Sequence, residues 1–283
     1  MPAPPAPGRP RRPRRKLVLV RVRPPHVPEW AGEDSHNAEL IERRARAVLD
    51  AAPVAPDVER HLIVEESVDR GLQQFAEGIG ASAIVVGCPD RTRRGRIETG
   101  TVAERLLRGS PCVVALAPHG CFDIDIDGEG CRRIVVGCTA NDEVRAALRT
   151  AATLARSCGA TVRVVSVTGT TPASSPDLPG REGAGRELAH AELDRALRAL
   201  ASSVLVERHA LEGDPTERVL EQANGWADLI VAGSRGHGSE RRVLLGSVSA
   251  GLLARAEVPV IIAPGGADGE LGERSPMAAG AGA

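Results

Sequence analysis

Gly233-Ser234-Arg235-Gly236 is followed, after nine intervening residues, by Gly246-Ser247-Val248-Ser249. The first glycine pair comes straight after an apolar run, DLIVAGS (228–234). The second opens a helical pattern, SVSAGLLAR (247–255). This GxxG-x9-G[ST] spacing suits an anion. Gly233 and Gly236 let the backbone turn sharply and approach a ligand with no Cβ in the way. Gly246 and Ser247 then begin a helix whose first N–H groups and positive dipole end face the same space. Ser247 and Ser249 add hydroxyls, and Arg235, Arg241 and Arg242 add positive charge. The plainer alternative is a turn with Ser247 as a helix N-cap. A lone GxxG would favour that alternative; the full spacing between a strand and a helix favours a phosphate.

Other constellations carry less. No Gly-Lys-[Ser/Thr] occurs, so the loop is not a Walker A loop. Gly236-His237-Gly238 starts like a dinucleotide fingerprint, but Arg241 stands where the third glycine belongs. Asp123, Asp125 and Asp127 begin like a calcium loop, yet its twelfth position is Ile134, inside a strand pattern. His190 and His209 have no second ligand at metal spacing, and no metal site is expected. His237 reads as an exposed loop residue. No serine sits in a G-x-S-x-G turn, and Cys88 and Cys138 read as small apolar residues at strand ends. No dedicated general base is identifiable, so any hydrolysis is expected to be slow and incidental.

Elements must hold that loop in place. Apolar β-branched runs predict strands at Leu17–Val22, Val58–Val64, Ala83–Cys88 and Cys112–Ala117 in the first half. Helical spacing predicts Ser35–Ala51, Ser67–Ile79 and Thr101–Arg108. The second half predicts strands Arg133–Cys138, Thr161–Val167, Val204–Leu211, Asp228–Ser234 and Val258–Ala263. Its predicted helices are Asp142–Cys158, Arg186–Ala201, Pro215–Asn224 and the one after Gly246. The two halves repeat: Glu59–Pro118 lines up with Glu207–Pro264. Strand Arg133–Cys138 and helix Asp142–Cys158 have no counterpart in the first half. Strands alternating with helices, and apolar on both faces, imply an α/β fold: two tandem doubly wound, Rossmann-like parallel-sheet domains. Ligands in such sheets sit beyond the carboxyl ends of the strands.

The expected organisation is a disordered Pro/Arg-rich leader (1–16), a truncated, degenerate first domain (17–118), a linker (119–131), a complete second domain (132–264) and a disordered tail (265–283). The first domain lacks a first strand–helix unit. Either its sheet closes differently or the reading frame is truncated or mis-started, and the odd leader favours the latter.

The 283 residues carry 36 basic and 37 acidic side chains, a net charge of -1. That balance argues against a protein that coats nucleic acid. Only Trp30, Phe75, Phe122 and Trp226 are aromatic, too few for a base-stacking platform. No apolar run approaches the ~20 residues that cross a bilayer, and no secretory signal is recognisable. Six cysteines without a CxxC pair fit neither a disulfide framework nor a zinc site, so a reduced, cytoplasmic protein is expected.

RIVVGC (133–138), LEGDPTERVLEQANGWADLIVAGSRGHG (211–238) and LLGSVSAGLLARAEVPVIIAP (244–264) together resemble the universal stress protein family. The likeness covers Arg132–Pro264 and, in degenerate form, Leu17–Pro118. It implies a five-stranded α/β domain, often duplicated, and ATP binding, alone or with Mg2+, in members that keep the glycine spacing. Carried over, Gly233, Gly236, Gly246, Ser247, Val248 and Ser249 would hold phosphates and ribose. Gly137, Thr139 and Val167 would frame the adenosine. The family usually has an aspartate where this chain has Thr139. The first half reads Gly87-Cys88-Pro89-Asp90-x9-Gly100-Thr101. Asp90 puts a negative charge where phosphate should approach, and Pro89 removes a backbone donor. The first half is therefore expected not to bind ATP.

The leading functional reading is a regulatory, nucleotide-binding stress protein without dedicated catalysis. A nucleotide-independent interaction scaffold and, further off, a nucleotidyl-transfer enzyme are the alternatives. The last strands of the two halves should lie at sheet edges. In this family such edges often pair between subunits, so here they are expected to pair within the chain, as a pseudo-dimer, or between copies.

Overall fold

The computed structural model describes residues 16–26, 43, 57–88, 97, 100–119, 130–138, 143–168, 194–195, 197–198, 201–202, 204–234 and 245–264. The predicted helix Ser35–Ala51 lies almost wholly outside them, and most of Arg186–Ala201 does too. The chain divides into two compact units, Met1–Gly71 and Leu72–Ala283.

The first unit holds β1 (Lys16–Arg23) and β2 (Asp57–Val64), paired in parallel with Lys16 opposite Asp57 and Arg23 opposite Val64. The chain then enters α1 (Val68–Gly78). Ser67 Oγ donates to Asp69 Oδ1 at 2.6 Å, and Gly71 N–H donates back to Ser67 O at 2.9 Å. Gly71 permits a close approach here: a Cβ on it would lie 3.1 Å from Val22 Cγ1. Lys16 bridges Glu59 at 2.7 Å. That ammonium, with the nearby His61, holds the Glu59 carboxyl below its ordinary range. Leu62 and Val64 are exposed, and no described side chain of β1 or β2 belongs to a buried apolar cluster.

The second unit holds β3 (Ala83–Gly87), α2 (Thr101–Leu107), β4 (Val113–Ala117), β5 (Arg133–Cys138), α3 (Glu143–Cys158), β6 (Thr161–Thr168), β7 (Val206–Glu212), α4 (Pro215–Ala223), β8 (Leu229–Gly233), α5 (Ser247–Arg255) and β9 (Val260–Ala263). The strands form one sheet in the order β3-β4-β9-β8-β5-β6-β7. All neighbours are parallel except β4 and β9, which run antiparallel with Ala115 opposite Ile261. The last strands of the two sequence halves are thus joined within one chain.

Ile134, Val135 and Val136 of β5 are all fully buried, as are Ile230 and Val231 of β8. A strand covered on both faces must be apolar at successive positions, not alternate ones. One face carries Val135, Ile230 and Ile262 against Leu107 of α2, Val219 of α4 and Leu252 of α5. The other carries Ile134, Val136 and Val162 against Val144, Leu148 and Ala151 of α3, with Leu197 beside them. Each fully buried Val, Leu or Ile contributes roughly 1.5–3 kcal/mol of transfer free energy, so this central layer dominates the unit's stability.

Among the described residues of the second half, β5 joins the β6–β7 pair to the β8–β9 pair. The first half has the equivalent pairs, β1–β2 and β3–β4, and among the described residues it has no strand between them. The two pairs accordingly belong to different sheets. The strand–helix unit that the sequence lacks is the one that would make them continuous.

Candidate functional site

The strand order β9-β8-β5-β6-β7 reverses direction at β5 and β8. The chain leaves β5 towards β6 on one side and returns to β8 on the other. A crevice opens at the carboxyl ends of the strands at such a switch point. Gly137, near the end of β5, pairs with Ala232 of β8, and Gly233 is the next residue of β8. Val167 lies at the corresponding end of β6, opposite Leu211, and is buried in the core layer under α4 and α5.

After β8 the backbone is pinned twice. Ser234 N–H donates to Ala263 O at 2.8 Å, and Ser249 Oγ donates to Gly233 O at 2.8 Å. The second bond ties the first turn of α5 back to the end of β8. The loop between them must therefore leave and return to one place, which is what a cradle requires. Ser249 is nearly fully buried. Its hydroxyl proton serves the main chain, whereas the sequence reading offered it as a donor towards a ligand.

Gly246, with φ -82° and ψ 167°, is the N-cap of α5, and no side chain caps it. Ser247 is the first helical residue and not the cap. The first N–H groups of any helix have no acceptor inside it. At Ser247, Val248 and Ser249 these amides sit at the positive end of the helix dipole, beside the carboxyl end of β8. Val248 packs by its side chain on the core layer. Thr139 and Gly236 lie outside the described residues, as do Arg235, His237, Arg241 and Arg242.

Gly137 has a role that its sequence did not show. A Cβ there would meet Val219 Cγ2 at 3.1 Å, so glycine lets α4 sit close over the end of β5. α4 is itself set by Asp214, whose Oδ1 accepts the Glu217 N–H at 2.9 Å, with Pro215 opening the helix. Asp214-x-x-Glu217 is a readable capping signature that the sequence reading passed over. Glu217 reaches Arg255 of α5 with both carboxylate oxygens, at 2.6 and 2.5 Å. The Arg255 guanidinium holds the Glu217 carboxyl below its ordinary range, and Glu217 raises Arg255 in turn.

The first half keeps part of the pattern. Gly100 is the N-cap of α2 with nearly the same backbone, φ -67° and ψ 166°, and it too has no side-chain cap. Ala103 occupies the place of Ser249 and is buried. It has no hydroxyl to tie the helix back to β3. Pro89 and Asp90 lie outside the described residues. Among the described residues no group of three or more His, Cys, Asp or Glu side chains is arranged to hold a metal, and no helix is long and apolar enough to cross a membrane.

Comparison with known proteins adds an independent line. The model of the universal stress protein family matches residues 10–118 and 130–264. The universal stress protein Rv2319c of Mycobacterium tuberculosis is 28% identical over 242 residues, covering 79% of this chain and 78% of that protein. The stress response protein NhaX of Bacillus subtilis is 47% identical over 53 residues, 18% of this chain and 32% of that one. Among solved structures, a universal stress protein from Archaeoglobus fulgidus superposes with a TM-score of 0.60 at 21% identity, over 88% of this chain and 87% of that one. A second, from Pseudomonas aeruginosa, gives 0.58 at 16% identity, over 87% and 82%. Those structures share the fold. With a family match to each half, the chain belongs to the universal stress protein family, and among the described residues its first domain has no counterpart of β5 and α3.

Proposed function

We propose that the second domain binds ATP, alone or with Mg2+, and that the protein acts as a nucleotide-responsive regulatory module without dedicated catalysis. The observation that carries this reading is the Ser249–Gly233 hydrogen bond, which closes the strand–loop–helix cradle at the switch point. The Gly246–Ser249 amides face the phosphates, with Gly236 completing the loop. Gly137, Thr139 and Val167 frame the adenosine. No acid or base stands out to activate a water, so turnover is slow. The first domain does not bind nucleotide, because Asp90 opposes phosphate and Ala103 leaves its helix untied.

Isothermal calorimetry with ATP on the full chain tests this reading. Heat of binding to one site per chain is expected, and no heat at millimolar ATP overturns it.

The β4–β9 pairing favours a second reading, an interaction scaffold that works without nucleotide. In that case the same titration is silent while the protein still engages its partners.

A further inference from the structure

We propose that Cys131 and Cys158 form an oxidisable thiol pair, which a peroxide converts to an intrachain disulfide joining the end of α3 to the segment that enters β5. The site lies at the amino-terminal end of β5, opposite the nucleotide cradle, and does not depend on it.

The backbone brings the two residues together. β5 and β6 are in parallel register with Arg133 opposite Thr161, and Thr161 N–H donates to Arg132 O at 2.7 Å. Cys131 precedes Arg132, and Cys158 is the last residue of α3, three positions before Thr161. Gly159, at φ +74°, turns the chain between them in a conformation that other residues rarely adopt. The end of α3 is closed by Gly159 N–H on Ala155 O at 2.7 Å and Ala160 N–H on the same oxygen at 3.1 Å. The entry to β5 is fixed by Asp228, whose Oδ2 accepts the amides of Arg132 and Arg133, both at 2.9 Å.

Between these fixed ends the Cys158 side chain lies close enough to Cys131 to act electrostatically on its thiol. Cys158 Sγ also donates to Leu154 O at 3.1 Å, and Cys131 packs on the same apolar cluster as Leu154. Both thiols are free; Cys131 is half-buried and Cys158 exposed. Burial, the Cys158 sulfur and the Asp228 carboxylate push the Cys131 thiol up to about 12. Exposure assigns the roles: Cys158 meets the peroxide, and half-buried Cys131 resolves. A metal is a poorer fit, because two thiols alone do not make a zinc site.

In the first step Cys158 gives up the proton it holds towards Leu154 O, and its sulfur attacks one peroxide oxygen. An S–O bond forms, the O–O bond breaks, and the departing hydroxide takes a proton to become water. In the second, Cys131 loses its proton and its sulfur attacks the Cys158 sulfur. The S–S bond forms, the S–O bond breaks, and the hydroxyl leaves as a second water. Two thiols are oxidised to one disulfide, and one hydrogen peroxide is reduced to two waters.

The test uses the full chain treated with near-stoichiometric hydrogen peroxide and digested, without reductant, by trypsin together with a protease that cuts after glutamate. Cleavage after Glu129 and Arg132 releases Gly130–Arg132, and cleavage after Arg156 and Arg163 releases Ser157–Arg163. The expected product is these two peptides joined, about 2 Da lighter than their sum. Closing a loop of about 28 residues should raise Tm by roughly 5–10 °C. Cys131→Ser should accumulate a dimedone-reactive sulfenic acid on Cys158 that the parent chain does not. Cys158→Ser should abolish both the linked peptide and the rise in Tm. Absence of the linked pair in the parent chain, or no sulfenic acid on Cys158 in Cys131→Ser, overturns the proposal.

Discussion

Ser249 shows how one side chain sets the geometry around it. Its hydroxyl donates to Gly233 O at 2.8 Å from a nearly water-free position, so the contact is neither screened nor replaced by solvent. Removing it takes this partner from the Gly233 carbonyl. Ser249→Ala should cost about 1–3 kcal/mol in urea unfolding and weaken ATP binding in calorimetry without abolishing it. Gly236→Asp copies the first domain's Asp90 into the second. It should weaken ATP at least about tenfold, and more than Gly236→Ala does, since the added charge opposes phosphate. The glycine and serine spacing was legible from sequence because it is local. The direction of the Ser249 proton was not, because its acceptor lies 16 positions away across a loop.

At the scale of elements, α4 and α5 hold each other over the site. Gly251 of α5 lies so close to α4 that a Cβ on it would come within 2.7 Å of Thr216 Cγ2 and 2.8 Å of its Oγ1. Gly251→Ala should therefore destabilise the protein by about 1–3 kcal/mol, read as a lower midpoint in urea with an unchanged slope. Glu217 and Arg255 clamp the same pair of helices from outside. The guanidinium lowers the folded-state pKa of Glu217 below its unfolded value. Its contribution is thus full above the ordinary carboxylate range and is lost as pH falls through the folded value. Glu217→Gln should lower Tm slightly at pH 7, and the gap to the parent chain should close in acid. The effect is small because both groups are exposed. The predicted strands agree with the structure to within one or two residues at each end; in β5 and β8 consecutive buried apolar residues leave little choice of state. The helix contact was illegible: nothing near Gly251 in the sequence points to Thr216.

For the whole molecule, the decisive feature is that the described residues of the first half include no equivalent of β5. Without an equivalent of β5, two strand pairs that would make one sheet are separate, and β3–β4 extends the sheet of the second domain. The deficit was readable as a gap in the repeat. The antiparallel join at β9 was only an expectation from the exposed edge of a final strand. That join covers Val260, Ile261 and Ile262, an apolar edge that would otherwise invite pairing. A fragment of residues 130–264 uncovers it. By sedimentation it should self-associate at concentrations where the full chain does not, whereas a strictly monomeric fragment would show that β4 is dispensable as a cover.

The proposed nucleotide cradle is the centre of the account, and amide hydrogen exchange with and without ATP tests it most directly. ATP should slow exchange at Gly246–Ala250 and at the end of β8, while Gly100–Ala103 of the first domain stays unchanged. Protection in the first domain instead, or none at either helix start under saturating ATP, would contradict it.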